Sequence, residues 1–132
     1  LLRRFVDDYA DRFDIDIERE IDVSAAPPTE VQSELLRVCR EALNNVRKHA
    51  DASKVRVELR QADSALRLVV TDNGRGFDPA ANNGRGFGMV SMRQRAEKIA
   101  GRLDVRSEPM GGTTVELQLP LAAGSGHAKL WR

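Results

Sequence analysis

One cysteine, Cys39, stands among the 132 residues, so no internal disulfide can form and the chain suits a reducing compartment. Long apolar runs are missing: none approaches the roughly 20 residues a membrane span needs. The opening LLRRF is too charged for a signal peptide. Neither sign of charge prevails, since 21 Lys and Arg against 20 Asp and Glu leave a net charge of +1. The basic excess of a general nucleic-acid binder is therefore lacking, and no nucleic-acid partner is expected. Internal repeats are lacking too. A cytoplasmic location is expected for the chain, even if a larger parent protein is membrane-anchored.

What is present is ordinary for one folded domain. Hydrophobic residues make up 41% and charged residues 31% of the chain, enough for a real core at this length. Residues 1–13 place Leu2, Phe5, Val6, Tyr9 and Phe13 at helical spacing. DIDIEREIDV then alternates like a strand. After SAAPPTE, Thr29 is the expected N-cap of a helix from Glu30 to about Ala50. Val31, Leu35, Val38, Cys39, Ala42 and Val46 form its apolar stripe, which makes Cys39 a buried small hydrophobe.

ASKVRVELRQ and ALRLVVTD predict two strands joined by a hairpin at 62–64. The glycine-rich segment 73–88 has no period. Met89, Met92, Ala96 and Ile99 restore helical spacing, and Gly101 supplies a stop. RLDVRSE and TTVELQLP predict a last hairpin around 109–112. We expect one domain over 1–121 and a flexible tail over 122–132. The element order fits a two-layer α/β sandwich, with about three helices on one face of a five-stranded mixed sheet.

Four stretches can carry chemistry. In REALNNVRKHA, Glu41, Asn45 and His49 are spaced four apart and stack on one helix face. A carboxylate one turn from a carboxamide offers two oxygens to a hydrated Mg²⁺, which takes few protein ligands plus phosphates and water. Lys48 can set a charge beside those phosphates. By itself the helix reads first as an ordinary solvated face, with His49 a polar residue near a helix end.

In VVTDNGRGF a strand ends in Asp72 and two glycines. Gly74 and Gly76 permit unusual backbone and close ligand approach. Gly84, Gly86 and Gly88 precede a helix, whose N-terminal N–H groups suit phosphate. Asp72 can accept a hydrogen bond from the exocyclic amine of adenine, where guanine carries an oxygen, or can simply close an Asx turn. Gly111 and Gly112 precede Thr113, whose hydroxyl can support the adenine end; the plain alternative is a hairpin turn.

Together these stretches resemble the ATP-binding domain of the superfamily of gyrase, heat-shock chaperone ATPases, MutL ATPases and histidine kinases, the Bergerat or GHKL fold. EALNNVRKHA resembles its N box, and DNGRG, GRGFG and GGTT its three glycine boxes, in the family's order over about residues 30–120. The form of the N box and of GFGMVSMRQRA is most similar to bacterial sensor histidine kinases of the nitrate-sensor-like group, which pair with LuxR-type response regulators.

The resemblance implies ATP and Mg²⁺ as ligands, Asn45 as the Mg²⁺-ligating asparagine and Asp72 as the adenine-binding aspartate. It places Glu41 as a water-activating base, in the metal shell, or as a residue that helps position the phosphates. It places Lys48, His49, Phe77, Phe87, Met89 and Thr113 in the nucleotide site, and Gly86 and Gly88 against the phosphates. Arg85 is a candidate to follow the γ-phosphate.

The loop 77–83 would be an ATP lid hinged at Gly76 and Gly84, too short for the gyrase, MutL and chaperone branches. The phosphoacceptor histidine is expected on a separate dimerisation domain, since neither His49 nor His127 fits that role. The isolated domain is expected to be a monomer. Two rival readings share the fold: an anti-sigma-factor-type serine kinase, and a nucleotide-binding module without catalysis.

Overall fold

Alternation lays down the sheet. The computed structural model describes residues 1–24, 26–77 and 88–120 of the chain. Its strands are β1 (Ile17–Asp22), β2 (Val55–Ala62), β3 (Ala65–Asp72), β4 (Arg102–Ser107) and β5 (Thr113–Pro120). They form one five-stranded sheet in the order β1-β2-β3-β5-β4. β1 runs parallel to β2 and every other pair is antiparallel, so the sheet is mixed, as expected.

Val57, Leu59, Leu66, Leu68, Val70, Leu103, Val115, Leu117 and Leu119 point to one buried face. Many of the residues between them are charged. Arg56 pairs with Glu18 at 2.6 Å and Glu20 at 2.5 Å, and Arg60 pairs with Glu20 and Glu58. The period of two thus separates a core face from a face of cross-strand ion pairs.

Helices α1 (Leu2–Phe13), α2 (Thr29–Asn45) and α3 (Met89–Lys98) cover the apolar face. On α2 the stripe Val31, Leu35, Val38, Cys39, Ala42 is buried, with Leu43 added. Cys39 has no solvent exposure, and burial pushes its thiol up to about 12, far from a usable thiolate. Glu34 bridges α2 to α3 through Arg95 at 3.3 Å.

Two helix ends differ from the sequence expectation. Thr29 is the first helical residue and Pro28 the cap, with φ −54° and ψ 151°. Proline's fixed φ and extended ψ serve there without any side-chain cap bond. The long helix also stops being α at Asn45; Val46–Ala50 form a π turn ending on Asp51 in a left-handed conformation. Such turns insert an extra residue into the helical register and are common at functional sites.

The stop after α3 has a full Schellman arrangement. The Gly101 amide donates to the Ala96 carbonyl at 2.8 Å and the Ala100 amide to Glu97 at 3.1 Å. The left-handed residue is Ala100, with φ 57°, and not Gly101. Glycine at 101 answers a different need, because a Cβ there would sit 3.0 Å from Leu117 and 3.1 Å from the Gln118 carbonyl.

Candidate nucleotide site

The sheet and α2 diverge at the end where β3 finishes, opening a cleft of about 450 Å³ counting its solvent-open mouth. The π turn and α3 form its other walls. Asn45, His49, Asp72, Gly76, Phe77, Met89 and Thr113 all line it, over a floor that includes Val70, Met92 and Val115. An apolar floor with a few convergent polar groups is the usual make-up of a small-molecule site.

Asp72 is the last residue of β3 and is only 8% exposed. Its Oδ1 accepts from the Gly74 amide at 2.8 Å, and the Thr113 amide also donates to the carboxylate. Burial raises its pKa above the ordinary carboxylate value, and these two amide bonds only partly offset that. The Asx-turn role and a place on the cleft wall therefore coexist in one residue. Thr113 stands opposite Asp72 in the β3–β5 register.

The glycines on this wall have separate reasons. Gly76 holds φ 64°, and a side chain there would collide with the Glu108 carbonyl. Gly112 holds φ 78°, and a side chain there would collide with the carbonyl of Asp72 itself. Gly74 contributes its amide to Asp72. Asn73 acts away from the cleft: its Oδ1 accepts from the Ser53 and Lys54 amides at 3.0 and 2.9 Å, tying the strand end to the start of β2.

The two asparagines of the N box part company. Asn44 accepts a 2.5 Å bond from the Tyr9 hydroxyl of α1, and Arg47 donates to that same hydroxyl at 3.3 Å. Asn45 lines the cleft. Across the cleft's rim, Arg75 reaches the His49 carbonyl at 2.8 Å and so fastens the π turn to the loop after β3.

Not every residue expected at the site reaches the cleft. Lys48 is exposed and is not part of the lining. Glu41 leaves the cleft as well; its carboxylate lies against Gly88, the N-cap of α3, whose φ is 65°. A carboxylate is favoured there by the positive end of the helix. Arg85, Gly86 and Phe87, with the lid stretch 78–83 and Gly84, lie outside the described residues.

Sequence reading missed Ser107. This residue at the end of β4 accepts from the Phe77 amide at 2.9 Å, donates to the Gly112 carbonyl at 3.1 Å and lies 2.8 Å from the Thr113 hydroxyl. Its only signal in the sequence is a serine at the foot of the last hairpin.

A buried carboxylate, a carboxamide and glycine-shaped backbone around an apolar slot make an adenine-nucleotide site chemically reasonable, and the family match decides its kind. Residues 30–123 match the model of the "Histidine kinase-, DNA gyrase B-, and HSP90-like ATPase" family. The chain belongs to this ATPase family.

Among curated relatives, this ATPase-family chain is 38% identical over 120 residues to the sensor histidine kinase LiaS of Bacillus subtilis, a match covering 91% of the chain and 33% of LiaS. It is 38% identical over 94 residues to the signal transduction histidine-protein kinase/phosphatase DegS of Brevibacillus brevis, over 71% of the chain and 24% of DegS. The chain thus spans a quarter to a third of the length of these relatives.

Solved structures give the same fold. The histidine kinase domain of the Erythrobacter litoralis EL346 blue-light activated kinase superposes with a TM-score of 0.78 at 22% identity, over 98% of this chain and 62% of that one. The ATP-binding domain of PrrB from Mycobacterium tuberculosis gives 0.71 at 24% identity, over 90% of each chain. This ATPase-family domain, with three helices on a five-stranded mixed sheet, is thus similar in sequence and fold to the ATP-binding modules of sensor histidine kinases.

Proposed function

We propose that this domain binds ATP together with Mg²⁺ and, within its full-length protein, supplies the γ-phosphate to a histidine on a separate dimerisation domain. The observation that carries the reading is the convergence of Asp72 and Thr113 with Asn45 and His49 on one cleft. The adenine amine would donate to the Asp72 carboxylate, and the phosphates would run toward the π turn and the N-terminus of α3.

The donor set fits a Mg²⁺ carried in with the nucleotide. Among the described residues no group of three or more His, Cys, Asp or Glu could cage a metal alone. A lone carboxamide, Asn45, beside nucleotide phosphates and water matches the coordination Mg²⁺ prefers. When bound, the ion would offset phosphate charge. Lys48, exposed one residue before His49, would extend toward the same charge from the rim.

In the transfer itself, a histidine nitrogen would attack the γ-phosphorus in line as the bond to the β-phosphate oxygen breaks, giving phosphohistidine and ADP. The domain would supply orientation and charge neutralisation rather than covalent chemistry. Glu41, held at Gly88, would act in the metal shell, help position the phosphates through that ion, or serve as a water-activating base. Arg85 and Gly86 would serve the phosphate end, and Phe87 would belong to the nucleotide site. The parent protein would sit with this domain in the cytoplasm and would pair with a LuxR-type response regulator, a proposal that rests on the form of the N box and of GFGMVSMRQRA. Among the described residues no helix is long and apolar enough to cross a membrane.

Calorimetric titration with ATP, with and without Mg²⁺, tests the binding step; micromolar-to-millimolar affinity is expected. Asn45→Ala should remove most of the Mg²⁺ dependence, and unchanged dependence would count against that ligand. Incubating the domain with labelled ATP and the parent's upstream helical region tests the transfer. Acid-labile label supports histidine phosphorylation, whereas label on serine overturns it.

A further inference from the structure

We infer that Ser107 determines which end of the Thr113 hydroxyl faces the nucleotide base, and is thereby a positioning residue for adenine selection. The inference rests on the reading above, in which the base lies against Asp72 and Thr113. Ser107 itself is not part of the cleft lining. It sits directly behind, paired with Thr113 across β4 and β5, while Thr113 is paired with Asp72 across β5 and β3. The three side chains thus stand in a row across three strands at one end of the sheet.

A serine hydroxyl has one proton to give and two lone pairs to offer. At Ser107 the proton goes to the Gly112 carbonyl at 3.1 Å, and one lone pair takes the Phe77 amide proton at 2.9 Å. The remaining lone pair faces Thr113 Oγ1 at 2.8 Å. All three bonds coexist only if Thr113 is the donor to Ser107. Reversing that bond would take the Ser107 proton away from the Gly112 carbonyl.

The consequence lies on the cleft side. With its proton turned back to Ser107, Thr113 can present only acceptor lone pairs to a ligand. The Asp72 carboxylate next to it is also an acceptor. A wall of acceptors favours a base edge with an amine at position 6, as in adenine, and opposes one with a carbonyl there, as in hypoxanthine or guanine. The same serine holds the amide of Phe77, another lining residue, so base recognition and the root of the loop after Gly76 share one anchor.

The test compares ATP with inosine triphosphate, which replaces the 6-amine by a carbonyl, in calorimetric titrations of this chain. Wild type is expected to prefer ATP. Ser107→Ala frees the Thr113 proton to turn toward the cleft and donate to the carbonyl. The preference should then fall about three- to tenfold, the range of one neutral hydrogen bond. Ser107→Thr keeps the hydroxyl and should retain the preference. Equal weakening of both nucleotides by Ser107→Ala, with the ratio unchanged, would mean a merely structural role and overturn the inference.

If Ser107→Ala does not fold, the near-isosteric Thr113→Val carries the test: it should lower the preference to a similar extent, and an unchanged ratio overturns the inference. Asp72→Asn separates the two levels. Should it lose ATP selectivity while Ser107→Ala keeps it, the nucleotide reading stands and the role of Ser107 falls. Should Asp72→Asn bind ATP as wild type does, the base assignment fails and takes this inference with it.

Discussion

Glu41 and Gly88 are in direct contact: the Glu41 carboxylate fills the space that a side chain at position 88 would need. The pair joins the C-terminal part of α2 to the N-cap of α3, and it explains why a residue with φ 65° and no Cβ stands there. A methyl group at 88 would overlap Oε1, Cδ and Cγ of Glu41.

Gly88→Ala therefore incurs two penalties, a left-handed alanine costing about 1–2 kcal/mol and the displacement of Glu41. In a Glu41→Ala background the second penalty is gone. Urea unfolding of both single variants and the double variant should show positive coupling, with the double less destabilised than the sum. Simple additivity would show that the contact carries no energy.

Asp72 predicts a stability gain from a loss of function. Burial raises its pKa in the folded state above the ordinary value of 3.8. The unfolded chain loses this proton first as pH rises, so the group's contribution to stability is greatest below 3.8 and declines up to the raised folded value. Asp72→Asn keeps an acceptor for the Gly74 and Thr113 amides without the buried charge. Melting at pH 7 should show the variant at least as stable as wild type, with any advantage shrinking at acid pH. Its ATP binding should be sharply weaker, because an amide presents a donor to the adenine amine. A variant less stable than wild type at pH 7 would contradict the desolvation argument.

Glu116 has the opposite sign. Burial alone would raise its carboxyl, but Arg67 at 2.5 Å and Arg106 at 3.1 Å outweigh burial and hold it below its ordinary 4.5. Its stabilising contribution is present above pH 4.5 and disappears as pH falls through the lowered folded value. Glu116→Gln should cost up to about 1 kcal/mol at pH 7, since both guanidiniums are about half exposed to solvent. The difference from wild type should vanish in acid below the folded value. Denaturant melts at the two pH values check both statements.

Ala100 occupies the left-handed position of the Schellman turn after α3. Glycine adopts that conformation without steric cost, at the expense of some unfolded-state entropy. Ala100→Gly should raise stability by about 0.5–1 kcal/mol, read as a higher urea midpoint with an unchanged slope. ATP affinity should not move.

Much of the fold was legible because local periodicity reports burial. Val55 to Leu59 alternates with polar residues in the sequence, Leu66 to Val70 does so but for Val69, and both runs are buried in alternation in the sheet. The α2 stripe was legible for the same reason. The end of that helix was not: the change from α to π at Val46 falls where the apolar stripe ends, and only backbone bonding reveals it. Thr29 likewise looked like a cap because its chemistry suits one, whereas Pro28 takes the place by backbone shape alone.

The sequence by itself determined the order of the elements, the carboxylate at the end of a buried strand, and the four boxes that mark the family. Each is encoded within a few consecutive residues, so spacing and residue type suffice. Only the tertiary structure decided that Asn44 turns to Tyr9 while Asn45 turns to the cleft. It alone sent Glu41 to Gly88 and set Ser107 behind Thr113. These outcomes depend on contacts between segments 6 to 47 residues apart, from Ser107–Thr113 to Glu41–Gly88. Such contacts follow from how layers pack and strands register, which no local pattern encodes.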